Sequence, residues 1–146
     1  MRVEVRIMVG VMRDIQILLY KAKENGNQFL GEDEIFPVAF LTKEETQNQL
    51  FSGAHFCFGY SGITSPEIRD ALSLFKKNVT ICLSEEPVPD IYFKITQSGE
   101  EEIKPFIEEL TKKNVGWETI VEKILKSLEN DRKGLFIEAK KRLKKK

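Results

Sequence analysis

The chain has 146 residues, 41% of them hydrophobic and ten of them Phe, which suits one ordinary domain with a real core and excludes a disordered chain. Charged residues make up 32% and balance at 23 basic and 23 acidic, and Glu and Lys far outnumber Asp and Arg, a bias of hyperthermophile proteins that predicts a thermophilic source. No stretch approaches the ~20 apolar residues of a membrane span, no basic-then-apolar secretory signal opens the chain, and two cysteines make no disulfide scaffold, so the expected setting is the cytoplasm.

Residues 3–9 (VEVRIMV) alternate apolar and charged side chains and predict a strand. Met12, Ile15, Leu18, Leu19 and Ala22 recur at helical spacing and predict an amphipathic helix over 12–24, stopped at Asn25-Gly26. Residues 35–41 (IFPVAFL) read as an apolar strand, held to a sheet edge by Pro37. Thr42 with Glu45 reads as a capping box opening a short helix that runs to about Phe51. Residues 54–59 (AHFCFG) predict a buried strand, with Cys57, like Cys82 further on, a buried thiol.

After a loop over 60–64, Ser65 caps a helix with Pro66 at its first position and Ile68, Ala71, Leu72 and Phe75 inward. Residues 79–84 and 91–96 predict two strands joined as a hairpin through Pro87 and Pro89. Two helices follow, over 100–113 with Pro105 in the first turn and over 117–130, and 135–146 continue as a frayed basic helix after Gly134. The expected fold is mixed α/β (α+β): a single mixed sheet of about five strands covered by helices, with two consecutive C-terminal helices. Residues 1–138 form the domain and 139–146 a basic tail.

Charge is unevenly placed. Lys140, Lys141, Arg142, Lys144, Lys145 and Lys146 carry +6 without an acid among the last eight residues, so the neutral chain has an acidic body of −6. Such a tail suits a phosphate backbone, and equally suits the negative end of a helix. The loop Ser61, Gly62, Thr64, Ser65, between a strand and a capped helix, is a possible anion site, although it lacks G-x-G-x-x-G and G-K-[ST]. Catalytic signals are missing: the one histidine, His55, predicts no metal site, Gly59-Tyr60-Ser61-Gly62-Ile63 breaks the G-x-S-x-G pattern, and the paired carboxylates fall on surface turns and helix faces. A binding module with no cofactor is expected, not an enzyme. The stripe Trp117, Ile120, Val121, Ile124, Leu125, Leu128 is wide enough to serve both a core and a partner.

Three segments carry a family resemblance: Tyr60–Leu72 with the following strand Asn78–Leu83, the terminal Val121–Leu128, and the early helix Asp14–Ala22. In these the chain resembles the small kinase-binding subunit of the KEOPS complex (EKC in eukaryotes), in its archaeal form. The resemblance implies a non-catalytic accessory subunit that binds and stimulates the atypical kinase/ATPase of the complex, supports threonylcarbamoyladenosine modification of tRNA, and binds the tRNA 3′ end. It places the kinase on Ile120, Ile124, Leu125 and Leu128, with Ile68 and Leu72 beside them. On that reading Leu128→Glu breaks the complex and leaves the domain folded. The competing expectation is a stand-alone domain binding a nucleotide or phosphorylated metabolite at the Ser61–Ser65 loop.

Overall fold

The computed structural model describes residues 3–27, 29–60, 62–76, 78–83 and 91–146. Six helices dominate them: α1 (Val3–Glu24), α2 (Glu32–Glu45), α3 (Pro66–Leu74), α4 (Gln97–Lys113), α5 (Trp117–Asn130) and α6 (Arg132–Lys144). Five short strands, β1 (Leu30–Gly31), β2 (Cys57–Gly59), β3 (Gly62–Thr64), β4 (Val79–Leu83) and β5 (Ile91–Ile95), make two antiparallel sheets. One has the order β1-β5-β4 and the other is the β2–β3 hairpin. The α+β class is as expected; the single five-stranded mixed sheet is not formed.

Two predicted strands are helical, and each for a physical reason. Residues 3–9 form the first turns of α1, whose inward stripe begins only at Val11 and continues through Ile15, Leu18, Leu19 and Ala22. Val3, Val5 and Val9 remain exposed, so their alternation matches no sheet face. Residues 35–41 belong to α2, in which every side chain from Ile35 to Thr42 is buried. A helix buried all round has no polar face, and a short apolar run of that kind cannot be told from a buried strand by periodicity. Thr42 therefore opens no helix; its hydroxyl donates back to Val38 O at 2.8 Å. At the start of α2 half of such a box is present: Glu34 Oε1 accepts the Gly31 N–H at 2.7 Å, while Gly31 has no side chain to return the contact.

After α2 the chain turns over 46–53, with Gln47, Asn48 and Phe51 at positive φ, in place of the helix expected to Phe51. The hairpin strand β2 is exposed along its length, and Cys57 with it, contrary to the buried strand and thiol expected there. The side chain of Cys82 and the Pro87/Pro89 turn lie outside the described residues.

The second half follows the sequence more closely. Ser65 caps α3, and Ile68, Ala71 and Leu72 are buried. β4 and β5 pair antiparallel from Val79↔Ile95 to Leu83↔Ile91. α4 begins at Gln97, three residues early, so Pro105 lies inside it and not in its first turn. α5 spans Trp117–Asn130 as read. α6 is a continuous helix where a frayed end was expected: Asp131 caps it by accepting the Gly134 N–H at 3.0 Å, and Leu135, Ala139 and Leu143 are buried. Gly134 thus helps to start α6. A Cβ there would lie 2.1 Å from the Asp131 carboxylate. No break separates residues 132–138 from the basic residues beyond.

The core is organised by α1, which packs on α3, α4, α5 and β5, while α2 packs on α5 and α6. Lys21 locks α1 to α5: only 4% exposed, its Nζ meets Glu24 at 2.9 Å, Glu118 at 2.8 Å and Glu122 at 3.3 Å. Burial alone lowers the affinity of this amine for its proton, but the carboxylates of Glu118 and Glu24 outweigh it and hold the pKa well above the usual lysine range. α4 is seated through Gly99, where a Cβ would lie 2.2 Å from the Asn78 carbonyl oxygen. Backbone cannot yield as a flexible side chain can, so Gly99→Ala is expected to lower stability by about 1–3 kcal/mol, read as a lower urea midpoint at unchanged slope.

Candidate nucleic-acid interface

A cleft of about 510 Å³ opens where the β2–β3 hairpin, the start of α2, α3 and α6 converge. Its lining combines the aromatic rings of Tyr60 and Phe136, the cations Arg69 and Lys140 and the acids Glu32 and Asp33 with apolar side chains such as Pro37 and Ile63. Tyr60 stands fully exposed at the hairpin turn. Gly62, at φ +133°, provides a backbone conformation that other residues rarely adopt. Lys140 Cε lies 3.8 Å from where a Cβ on Gly62 would sit, so the lysine stem from α6 runs against the hairpin. Arg69 Nη2 donates to Thr64 Oγ1 at 2.6 Å, which fixes the guanidinium at the lip. Arg132, outside this lining, bridges Asp33 and Glu34, with its guanidinium 4.7 Å from the Phe136 ring centre.

The basic residues of the chain end divide into two sets. Arg142 bridges Glu45 and Glu138, and Lys146 meets Glu44 at 2.7 Å, so these two cations tie α6 to the end of α2. Lys140, Lys141, Lys144 and Lys145 are exposed and make no ion pair among the described residues. Their charge is available to a ligand.

The expected anion loop is laid out differently. Ser61 lies outside the described residues, and Gly62 and Thr64 belong to β3. Ser65 is buried; its Oγ accepts the Ile68 N–H at 3.4 Å and donates to Glu67 Oε1 at 3.3 Å. Glu67 also accepts the His55 N–H at 2.6 Å. Burial raises the pKa of this carboxyl, but the N–H groups of His55 and of Glu67 itself more than offset that and hold it below the usual range. The positive end of α3 is therefore already faced by a carboxylate of the chain, and the nearby cations Arg69 and Lys140 are the groups left to meet a phosphate.

Of the residues expected to face a partner, Ile68, Leu72, Ile124, Leu125 and Leu128 lie in the core, and Ile120 is half-buried. Ile120 and the edge of Ile124 line a second cleft, of about 630 Å³, between α5, α6 and the end of α2, with Lys123 and Lys126 on its rim. Periodicity identified the stripe but not which way it faces. The exposed Tyr60 and the roles of Arg69 and Phe136 were not legible either, because the cleft joins segments far apart in the chain.

Among the described residues no group of His, Cys, Asp and Glu could hold a metal ion, and no helix is long and apolar enough to cross a membrane. No family model, curated protein or solved structure matches the chain.

Proposed function

We propose that the chain is a non-catalytic RNA-binding accessory subunit, with a single-stranded tRNA end as ligand and the kinase/ATPase of a KEOPS-like complex as partner. The observation that carries the RNA reading is the exposed Tyr60 beside Arg69 and Lys140, continuous with the unpaired lysines of α6. Single-stranded nucleic acid is bound by this pairing of an aromatic platform, on which a base stacks, with a cationic track for the backbone. The kinase reading rests on the resemblance and takes the α5–α6 cleft, through Ile120 and Ile124, as the docking face. In that complex the chain would support threonylcarbamoyladenosine modification of tRNA without reacting itself.

The cleft volume also suits a small ligand, so a mononucleotide or phosphorylated metabolite on Arg69 and Lys140 is the second reading. Titration with intact tRNA, tRNA lacking its 3′-terminal nucleotides, and a mononucleotide separates the two. Tyr60→Ala is expected to weaken intact tRNA by about 1–3 kcal/mol, roughly 5- to 150-fold, with an unchanged salt slope. Trimmed tRNA should bind both proteins with that weaker affinity. Equal binding of intact and trimmed tRNA, together with stabilisation by the mononucleotide of about 2.7 kcal/mol at 100 times its Kd, would favour the second reading.

A further inference from the structure

We propose that the contact between Asp14 and Phe51 is a pH-responsive clasp that lets the turn over residues 46–53 open as pH rises toward neutrality. The inference stands on the turn and its anchor, independently of RNA binding. Gln47, Asn48 and Phe51 have φ of 51°, 66° and 59°, and a bulky aromatic in that region is a true outlier. Such conformations persist only where the surroundings hold them in place.

The turn is held from within by the Leu50 N–H on Thr46 Oγ1 at 3.3 Å, and its end is tied to α2 by Lys43 Nζ, which donates to the Ala54 carbonyl at 2.7 Å. Its hydrogen bond to α1 is the Phe51 N–H, donated to Asp14 Oδ2 at 2.8 Å. Phe51 and Leu50 are core residues, so the clasp and the burial of these two side chains act together. The turn also leads through Ala54 into β2, the strand that ends beside Tyr60.

Asp14 is an unusual anchor for such a turn. It makes no ion pair among the described residues and accepts one backbone N–H. The charged groups around the depression beside it are Arg13 on α1 and Glu109 and Lys113 on α4; the turn itself contributes the neutral Gln49. Lys113 is engaged with Glu109 at 3.6 Å, and the Arg13 guanidinium lies over the Phe106 ring, 3.8 Å from its centre. The ionised carboxylate is thus poorly compensated where it stands. Burial pushes its pKa up to about 7, against the opposing pull of the Phe51 N–H and Arg13. Opening the turn admits water to the carboxylate and restores its ordinary acidity. The open form therefore binds fewer protons than the closed form between about pH 4 and pH 7, and the opening constant rises up to tenfold per pH unit there, then levels off.

Amide hydrogen exchange by NMR tests this, with protection factors corrected for the intrinsic pH dependence of exchange. The Phe51 amide is expected to lose protection about fiftyfold between pH 5 and pH 7, while the Leu125 amide in α5 keeps its own. Asp14→Asn, which retains an acceptor oxygen and cannot ionise, should flatten the profile at Phe51. The Asp14 carboxyl carbon, followed in the unaltered protein, should titrate near neutrality. A pH-independent Phe51 protection factor, an equal fall in Asp14→Asn, or a carboxyl titrating in the ordinary aspartate range would overturn the clasp. A parallel loss at Leu125 would overturn it as well, since the event would then be global unfolding.

Discussion

Leu128→Glu is expected to unfold the domain and not merely to release a partner. Leu128 is 5% exposed and lies in the core beside the fully buried Leu125 and Val121. Removing a buried Leu side chain costs about 2–5 kcal/mol, and an unpaired carboxylate in its place adds a further desolvation cost. Against a total stability of about 5–15 kcal/mol this leaves a marginal fold. Urea unfolding followed by far-UV circular dichroism measures it: a midpoint unchanged from the parent would mean that this part of α5 is not core. Ile120→Glu is the informative contrast. Ile120 is half-buried on the α5–α6 cleft, so its replacement is expected to keep the fold and to weaken docking of the kinase subunit. Leu128 is thus unsuited to testing the partner, and Ile120 takes its place.

Replacing Lys140, Lys141, Lys144 and Lys145 together by Ala is expected to weaken tRNA binding by two to three orders of magnitude at about 0.1 M salt. Each lysine that neutralises a phosphate of a single strand contributes roughly 0.7 to the slope of log K against log salt. Four of them contribute about 3, which the variant should lose. The paired cations provide the control. Arg142→Ala and Lys146→Ala remove charge already engaged by Glu45, Glu138 and Glu44, so the slope should move little, and stability should change instead. The measurement is tRNA affinity across a salt series for the parent, the quadruple variant and the two controls. Identical slopes for the parent and the quadruple variant would reduce the lysines of α6 to a solvated helix face.

The two experiments fall on opposite faces of one lesson about helix patterns. In α5 the stripe Trp117, Val121, Ile124, Leu125, Leu128 is legible because a half-buried helix alternates apolar and polar faces every 3.6 residues. In α2 the same signal vanishes because Ile35 to Thr42 are all buried, and the run reads as a strand. α1 failed at its start for the opposite reason: Val3, Val5 and Val9 are apolar yet exposed, and their alternation suggested a sheet that does not exist. The capped start of α3 was legible because Ser65-Pro66 acts locally, through one hydroxyl and one fixed φ. The Gly134 and Asp131 pair is local too, but Gly134 was read as a helix breaker where it serves a cap.

The sequence by itself determined a mixed α+β domain, the antiparallel strands β4 and β5, the helix over 117–130, and the split between an acidic body and a basic end, since each of these is written in residues close together in the chain. The tertiary structure decided which cations are free, because Arg142 and Lys146 each find a carboxylate on α2, about a hundred residues away in the chain. It decided that five of the six expected docking residues are core, because burial depends on what packs against a stripe and not on the stripe. It also brought Tyr60, Arg69 and Lys140 to one cleft, because β3 and α6 both pack on α2 and on each other.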